Sequence, residues 1–114
     1  MADHTESYID VSSQDFAEKV LSAAQMVVVD FSSGRSGSCQ IFDPEFAAIG
    51  KEYQGRVTFA KIDVDSNEDL TSQWNVDGIP TVIFFKNGQE INRIKGIVMR
   101  DKLRRQVEGT LLAS

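Results

Sequence analysis

The chain has 114 residues, 41% of them hydrophobic and 25% charged, a composition typical of one soluble globular domain. Twelve Lys and Arg against seventeen Asp and Glu give a net charge of −5, which argues against general nucleic-acid binding. No apolar run approaches the ~20 residues that a membrane-spanning helix needs, so we predict no membrane contact.

The start of the sequence and its cysteine content bear on location. Residues 1–8 are polar and acidic, and we interpret them as a loosely ordered tail before a domain that spans residues 9–114. This start lacks the basic and apolar regions of a signal peptide. Cys39 is the sole cysteine, so no disulfide can form within the chain. These features favour the cytoplasm.

The first half of the domain alternates helical and strand patterns. Ser12 or Ser13 can cap a first helix. Its apolar residues at helical spacing are Phe16, Ala17, Val20, Leu21 and Ala24. The β-branched run 26–31 predicts a central strand that is covered on both faces. A turn at residues 34–38 leads into a second helix, which we expect Pro44 to kink.

Two further strands and a short helix follow. Residues 57–64 predict a strand, after which Asp65 or Ser66 caps a short helix. Residues 81–85 predict a third strand, which is strongly apolar.

The chain closes with a hairpin and a helix. Asn87-Gly88 is the strongest short hairpin signal, so residues 90–96 should return antiparallel to the third strand. The last helix carries its apolar residues on one face, namely Leu103, Val107, Leu111 and Leu112. Together the elements predict an α/β fold, a mixed sheet of four to five strands with parallel pairs and an antiparallel hairpin, flanked by four helices.

A series of motifs runs in order between residues 16 and 112, nearly the whole chain. They are Val28-Val29-Asp30-Phe31, the turn ending in Cys39, Pro44, Phe59-Ala60-Lys61-Ile62-Asp63-Val64-Asp65, Val76-Asp77-Gly78-Ile79-Pro80-Thr81, Phe84-Phe85-Lys86-Asn87-Gly88 and Gly96. In these motifs the sequence resembles the thioredoxin family. The resemblance implies the thioredoxin fold and a lineage of thiol-disulfide oxidoreductases that serve cell redox homeostasis.

The resemblance also locates the active-site turn. In the family, Trp-Cys-Gly-Pro-Cys places an attacking thiolate at a helix N-terminus and a resolving cysteine one turn inside. Here the matching stretch is residues 35–39, in which Ser36 replaces the attacking cysteine and Cys39 keeps the resolving position. A serine oxygen forms no stable bond to a substrate sulfur. Dithiol disulfide reduction is therefore predicted to be lost or reduced to single-thiol chemistry, with Ser36 acting as a helix N-cap.

Three interpretations of Cys39 stay open. Family geometry would bury it, which makes a thiol slow to react, whereas Arg35 and the helix dipole act in the opposite sense. Cys39 is then an inert thiol, a reactive thiol that forms mixed disulfides, or a ligand of a metal or cluster shared with a second chain. We predict no metal site and no cofactor. A Ser-His-Asp hydrolase is disfavoured because the only histidine is His4.

Asp30 and Lys61 complete the catalytic set that the resemblance implies. Asp30 interrupts an apolar strand, where loss of hydration raises the pKa of a carboxyl group. It matches the buried acid that moves protons for the resolving cysteine, and Lys61 matches its basic neighbour. Asp30 is either part of a site built for proton transfer or an acid tolerated through hydrogen bonds.

A substrate groove is implied as well. Ile79-Pro80 would be a cis peptide facing the active-site turn, with the Ile79 backbone able to pair with an extended substrate. The implied substrate-binding residues are Arg35, Gly37, Ser38, Trp74, Gly78, Ile79 and Pro80. For Trp74 a core role is an equally good interpretation. The implied partners are protein substrates or partner segments and a thioredoxin reductase, with the protein a monomer or weak dimer.

Three function classes follow. The first is a redox protein of the thioredoxin lineage whose catalysis is crippled by Ser36 or reduced to one thiol. The second is a non-enzymatic binding or chaperone-like module that uses the Pro80 groove. The third is an active thioredoxin disarmed by an engineered Cys-to-Ser change. Because Arg35 and Ser38 also depart from the family's tryptophan and proline, natural divergence is favoured over engineering.

Overall fold

One mixed sheet forms the centre of the molecule in the computed structural model, which describes residues 7–114. Its strands are β1 (Ile9–Asp10), β2 (Val27–Ser32), β3 (Thr58–Asp63), β4 (Thr81–Lys86) and β5 (Gln89–Lys95). They lie in the order β1-β3-β2-β4-β5. β3 pairs in parallel with β1 and β2, whereas β4 pairs antiparallel with β2 and β5. The predicted mixed sheet is therefore confirmed.

Four helical segments flank the sheet in the described residues, as predicted. They are a π-helix (Ala17–Leu21), α1 (Gly37–Glu52), α2 (Glu68–Gln73) and α3 (Arg100–Ala113). Pro44 lies inside α1. In the part of the chain that the structure describes, no helix is long and apolar enough to cross a membrane.

One face of the sheet packs against α1 and α3. Buried residues of this cluster include Phe42, Phe46, Ile49, Leu103 and Val107 from the helices and Val28, Phe59, Val82 and Phe84 from the strands. Side chains alternate between the faces along a strand, so Asp30 and Ser32 point to the same side as Val28. The cluster therefore borders a polar strip on β2.

The opposite face packs against the π-helix and α2. Its buried residues include Phe16, Val20, Leu70, Val27, Val29, Phe31, Ile83 and Phe85. Trp74 packs at the edge of this cluster, with its ring centroid 4.9 Å from that of Phe85 and 5.9 Å from that of Phe16. This face is apolar throughout β2.

The first helix differs from its prediction. Its N-cap is Phe16 rather than Ser12 or Ser13, and no side chain caps it. Ser13 instead contacts a distant segment. Its N–H donates to Asn67 Oδ1 at 2.9 Å, and its hydroxyl donates to Asp69 Oδ1 at 2.5 Å. Tertiary hydrogen bonds thus replace the local capping interaction, and the predicted cap is wrong.

The predicted cap of the short helix is also wrong. Asn67, not Asp65 or Ser66, is the N-cap residue of α2. The Ser66 hydroxyl donates to Asp63 Oδ2 at 2.8 Å, and Asn67 Nδ2 donates to the Asp63 carbonyl at 2.9 Å. Asp63 therefore closes a turn between β3 and α2, and this turn delays the start of the helix.

The last helix confirms three of its four predicted apolar contacts. Leu103 and Val107 are buried, and Leu111 packs against the same cluster. Leu112 is 79% exposed, so its predicted place on the buried face is wrong. An α-helix turns by about 100° per residue, and Leu112 is rotated by that angle away from Leu111.

The N-terminal segment enters the fold before residue 9. Tyr8 belongs to the predicted loose tail, yet it is buried and its ring lies 5.9 Å from that of Phe46. Gly50 of α1 permits this approach, because a Cβ there would lie 2.5 Å from the Ser7 carbonyl oxygen. The rest of that tail, including His4, lies outside the described residues.

Candidate functional site

The turn between β2 and α1 places Ser36 at the start of the helix. Ser36 is the N-cap residue, with extended backbone angles, and its Oγ accepts a hydrogen bond from the Cys39 N–H at 3.2 Å. Serine is well suited to this task because its oxygen satisfies a free N–H of the first helical turn. The capping role predicted for Ser36 is confirmed.

Cys39 lies in the first turn of α1 and is only 5% exposed. The Ser33 N–H donates to its Sγ over 3.5 Å. Beside the thiol lies a cleft of about 340 Å³. Its polar lining includes Ser32, Asp10, Asp43, Lys61 and Asp63. Within residues 7–114, no group of three or more His, Cys, Asp or Glu side chains could hold a metal ion.

Asp30 is a buried acid, as the sequence predicts. Its side chain is 1% exposed, and Oδ1 has no hydrogen-bond partner among the described residues. Burial raises the pKa of Asp30 to about 7, while the Lys61 charge lowers it and the Asp43 charge raises it. Asp30 therefore gains or loses its charge close to neutral pH.

Lys61 lies next to Asp30 in the parallel register of β2 and β3. Its Nζ forms an ion pair with Asp43, lies 3.4 Å from the Tyr8 hydroxyl oxygen, and sits 5.0 Å from the centre of the Tyr8 ring. Burial by itself lowers the pKa of Lys61, but the hydrogen bond and charge of Asp43, with the charges of Tyr8 and Asp30, together raise it. The ammonium group is thus engaged by Asp43.

Asp43 is a site residue with no counterpart among the predicted ones. It lies four residues after Cys39 in α1, and residues at this spacing share one face of a helix. That spacing is the signal that could have identified it. The structure brings Cys39, Asp43 and Lys61 to one cleft.

Two residues before Ser36 connect the turn to Asp65, which follows β3. Arg35 Nη2 donates to Asp65 Oδ1 at 3.1 Å, and the Ser33 hydroxyl donates to Asp65 Oδ2 at 2.6 Å. The Arg35 guanidinium, followed by Ser33, holds the pKa of Asp65 below its usual value. Arg35 remains largely exposed, and Gly37 and Ser38 are exposed at the start of α1.

The segment before β4 lies at the same end of the sheet as this turn. Phe31 at the end of β2 pairs with Thr81 at the start of β4. The Ile79-Pro80 peptide is cis, and the Pro80 carbonyl accepts a hydrogen bond from the Gly96 N–H at 2.8 Å. Pro80 is buried, Ile79 is half-buried and Gly78 is exposed.

Trp74 stands apart from the other predicted site residues. It packs against Phe16 and Phe85, and its indole Nε1 is buried with no hydrogen-bond partner among residues 7–114. It does not line the cleft beside Cys39. Of the two interpretations offered by the sequence, these contacts favour the core role.

Comparisons with known proteins agree with this architecture. The family model described as Thioredoxin matches residues 7–109. Thioredoxin X, chloroplastic, of Arabidopsis thaliana is 34% identical over 104 residues, which cover 90% of this chain and 57% of that protein. Probable thioredoxin-2 of Caenorhabditis elegans is 35% identical over 111 residues, or 96% of this chain and 77% of that protein.

A third relative is larger. The bifunctional thioredoxin reductase/thioredoxin of Mycobacterium leprae is 38% identical over 88 residues, which cover 77% of this chain and 19% of that protein. This chain spans little more than half the length of the Arabidopsis relative, and a fifth of the Mycobacterium protein is matched.

Proposed function

This chain belongs to the thioredoxin family, and from that premise we propose that it exchanges thiols through Cys39 alone, without dithiol turnover. One observation carries the proposal. The position at the N-terminus of α1 holds Ser36, whose oxygen caps the helix through the Cys39 N–H. The chain contains no other cysteine that could take the place of the missing thiol.

The number of thiols in the protein determines which steps of disulfide exchange it can carry out. In dithiol exchange one thiolate forms a mixed disulfide with the substrate, and a second thiolate then attacks that bond and releases the reduced substrate. Cys39 can carry out the first step. The second step then requires a thiol from outside the protein, so the mixed disulfide persists until such a thiol arrives.

A disulfide-reduction assay with insulin and an external reductant tests this proposal. We expect the rate of insulin reduction with the native chain to be no higher than the rate with the reductant alone. Ser36→Cys restores a second thiol at the helix N-terminus and should gain turnover. Ser38→Cys is the matched control, because it adds a thiol one residue from Cys39, where the pair lacks the family spacing. Near-normal turnover by the native chain would contradict the proposal.

A thioredoxin reductase is the proposed redox partner of this surface. The Mycobacterium relative, by its name, joins a reductase and a thioredoxin in one chain. Reduction of the Ser36→Cys disulfide by a thioredoxin reductase and NADPH, followed by absorbance at the NADPH band, tests this partnership. Absence of NADPH consumption, with the same disulfide still reducible by dithiothreitol, would contradict it.

A second candidate function is the binding of extended segments without redox chemistry. It is favoured by apolar surface next to Pro80, where Ile97 is 38% exposed and Gly96 is hydrogen-bonded to the Pro80 carbonyl. Binding of this kind should survive Cys39→Ala and be lost on Ile97→Asp. Leu112→Asp, at an exposed apolar residue on α3, is the control. Loss of binding in Cys39→Ala would instead favour the thiol function.

The cytoplasm remains the proposed location. The name of one relative places that protein in the chloroplast, so the relatives do not support a cytoplasmic location. The proposal is instead supported by Cys39, which is a free cysteine, as is usual in a reducing compartment. Cell fractionation with an antibody to the native chain tests it, and recovery in an organelle fraction would contradict it.

A further inference from the structure

The cleft beside Cys39 carries an excess of negative charge. Asp10, Asp43 and Asp63 line it together with one cation, Lys61. Asp43 forms an ion pair with Lys61, whereas no ion pair within residues 7–114 involves Asp10 or Asp63. Within the same residues, the Asp63 carboxylate accepts hydrogen bonds from two neutral groups, the Ser66 hydroxyl and the Asp65 N–H. Neither carboxylate therefore has a salt-bridge partner among these residues, and the charge interactions of Asp10 with Lys19 and of Asp63 with Arg35 are the smallest that act on those two cations.

A buried polar atom lies on the same side of the sheet. Asp30 shares its face of β2 with Ser32 and stands in register beside Lys61, and both of these residues line the cleft. Its side chain therefore extends from the sheet on the cleft side, behind the lining residues Ser32 and Lys61. Buried polar atoms are normally hydrogen-bonded, yet Asp30 Oδ1 has no partner in the described part of the chain. This side of the sheet therefore holds an acceptor that still lacks a hydrogen-bond donor among these residues.

The size of the cleft restricts what can reach the thiol. Cys39 is 5% exposed, so a disulfide on the surface of a folded protein has little access to its sulfur. The cleft itself, at about 340 Å³, falls in the size range of small-molecule sites. A compact ligand can therefore approach Cys39 by a path that a folded protein cannot use.

We propose that the cleft admits a small disulfide with protonated amino groups and that Cys39 forms a mixed disulfide with it. The amino groups would lie against the carboxylates of Asp10 and Asp63, which form no salt bridge among the described residues, with Asp30 behind the cleft lining. This inference rests on the single-thiol function proposed above, and it names a class of reactant for that thiol.

The exchange step is balanced without a further oxidant. The Cys39 sulfur, once it has lost its proton, attacks one sulfur of the ligand, and the ligand's S–S bond breaks as the new Sγ–S bond forms. The leaving sulfur departs as a thiolate and takes up a proton equivalent to the one that Cys39 released. Cys39 is oxidised to the mixed disulfide, and half of the ligand is reduced to a thiol.

Three small disulfides of different charge test the proposal. They are cystamine, which is cationic, hydroxyethyl disulfide, which is neutral, and glutathione disulfide, which is anionic. Adduct formation at Cys39 is followed by intact-mass spectrometry at low ionic strength. Each rate is divided by the rate for the same chain unfolded in urea, which removes the cleft and keeps the cysteine. We expect this ratio to be at least about tenfold higher for cystamine than for glutathione disulfide, and to fall as salt is added.

Substitutions in the cleft test whether its carboxylates cause the preference for cystamine. Asp10→Asn with Asp63→Asn should reduce the preference for cystamine severalfold, and each single change should reduce it in part. The matched control is Asp77→Asn with Asp101→Asn, since these carboxylates are 78% and 80% exposed and lie outside the cleft. Equal ratios for all three disulfides, or a preference that survives the cleft variants, would overturn the inference alone. If no disulfide forms an adduct with the folded chain, the single-thiol function itself fails.

Discussion

The two faces of the sheet differ in what β2 contributes to them. Toward the π-helix and α2 it directs Val27, Val29 and Phe31, all of them buried and apolar. Toward α1 and α3 it directs Asp30 and Ser32 beyond Val28, and this polar end of the strand leads to the cleft at Cys39. Both faces hold a buried apolar cluster, but only the face toward α1 and α3 also holds titratable groups of β2.

Each face also buries one polar atom that has no hydrogen-bond partner among the described residues. These atoms are Asp30 Oδ1 on the α1 side and Trp74 Nε1 on the α2 side. A carboxyl group can take up a proton and shed its charge, whereas the proton of an indole N–H stays in place. Only the Asp30 face can therefore respond to pH through its buried atom.

The largest loss of stability is expected from truncation of a core side chain on the face that packs against the π-helix and α2. Phe85→Ala removes a fully buried ring that contacts Phe16 and Trp74, and it should lower the free energy of unfolding by about 3–5 kcal/mol. Urea unfolding followed by circular dichroism measures this loss. Leu112→Ala, at a residue that is 79% exposed, is the control and should change stability by less than about 0.5 kcal/mol. Similar losses of stability in the two variants would contradict the prediction that Phe85 is a core residue and Leu112 is not.

The face toward α1 and α3 holds Asp30 and should therefore make stability depend on pH. The face toward the π-helix and α2 should not. The pKa of Asp30 is about 7 in the folded chain, above the 3.8 of an ordinary aspartate. The folded state therefore holds a proton that the unfolded state has released, and stability is lost as the pH rises from about 4 through 7. Between pH 5 and 7 this loss should reach roughly 2–3 kcal/mol.

Asp30→Asn isolates this contribution from the other carboxyl groups. The difference in unfolding free energy between the native chain and the variant should change by that amount between pH 5 and 7, in favour of the variant at the higher pH. Above about pH 8 the difference should stay constant, because both states are then ionised. Parallel stability curves for the two proteins would show that Asp30 does not titrate in this range.

Removal of the cap at Ser36 should have a smaller effect. Ser36→Ala leaves the Cys39 N–H without its acceptor and should lower stability by about 1 kcal/mol. Thermal unfolding measures the change. Ser38→Ala, at an exposed residue of the same helical turn, is the control. Equal effects at the two positions would mean that the cap contributes nothing specific.

The smallest change is expected for the buried indole. Trp74→Phe removes the unpartnered N–H and keeps an aromatic ring against Phe16 and Phe85. Relief from a buried N–H offsets the smaller contact area, so stability should change by no more than about 1 kcal/mol. Urea unfolding measures it. A loss as large as that of Phe85→Ala would indicate that the indole N–H is satisfied in solution.

Local signals explain why the strands and the hairpin could be predicted. Asn87 and Gly88 both adopt positive φ angles, 54° and 78°, and only a few residue types tolerate this backbone. Lys86 and Gln89 then pair across the turn. The two-residue strand β1 is too short to show any alternation, and the irregular register between Phe84 and Phe85 leaves no mark in the sequence.

Tertiary contacts explain what the sequence could not predict. Ser13 has the residue type of a helix cap, but its hydrogen bonds go to Asn67 and Asp69, more than fifty residues away. The site follows the same rule. Asp30 could be identified as a buried acid from its apolar neighbours, whereas the ion pair of Lys61 with Asp43 depends on how α1 sits over β3.

The close approach of the N-terminal segment to Gly50 has a consequence for the size of the sheet. A methyl group at residue 50 would meet the Ser7 carbonyl oxygen at 2.5 Å, so the segment that leads into β1 would have to move away. The pairing of Ile9 with Ala60 depends on that segment staying in place. A side chain at residue 50 would therefore displace the segment that positions the edge strand β1, which consists only of Ile9 and Asp10.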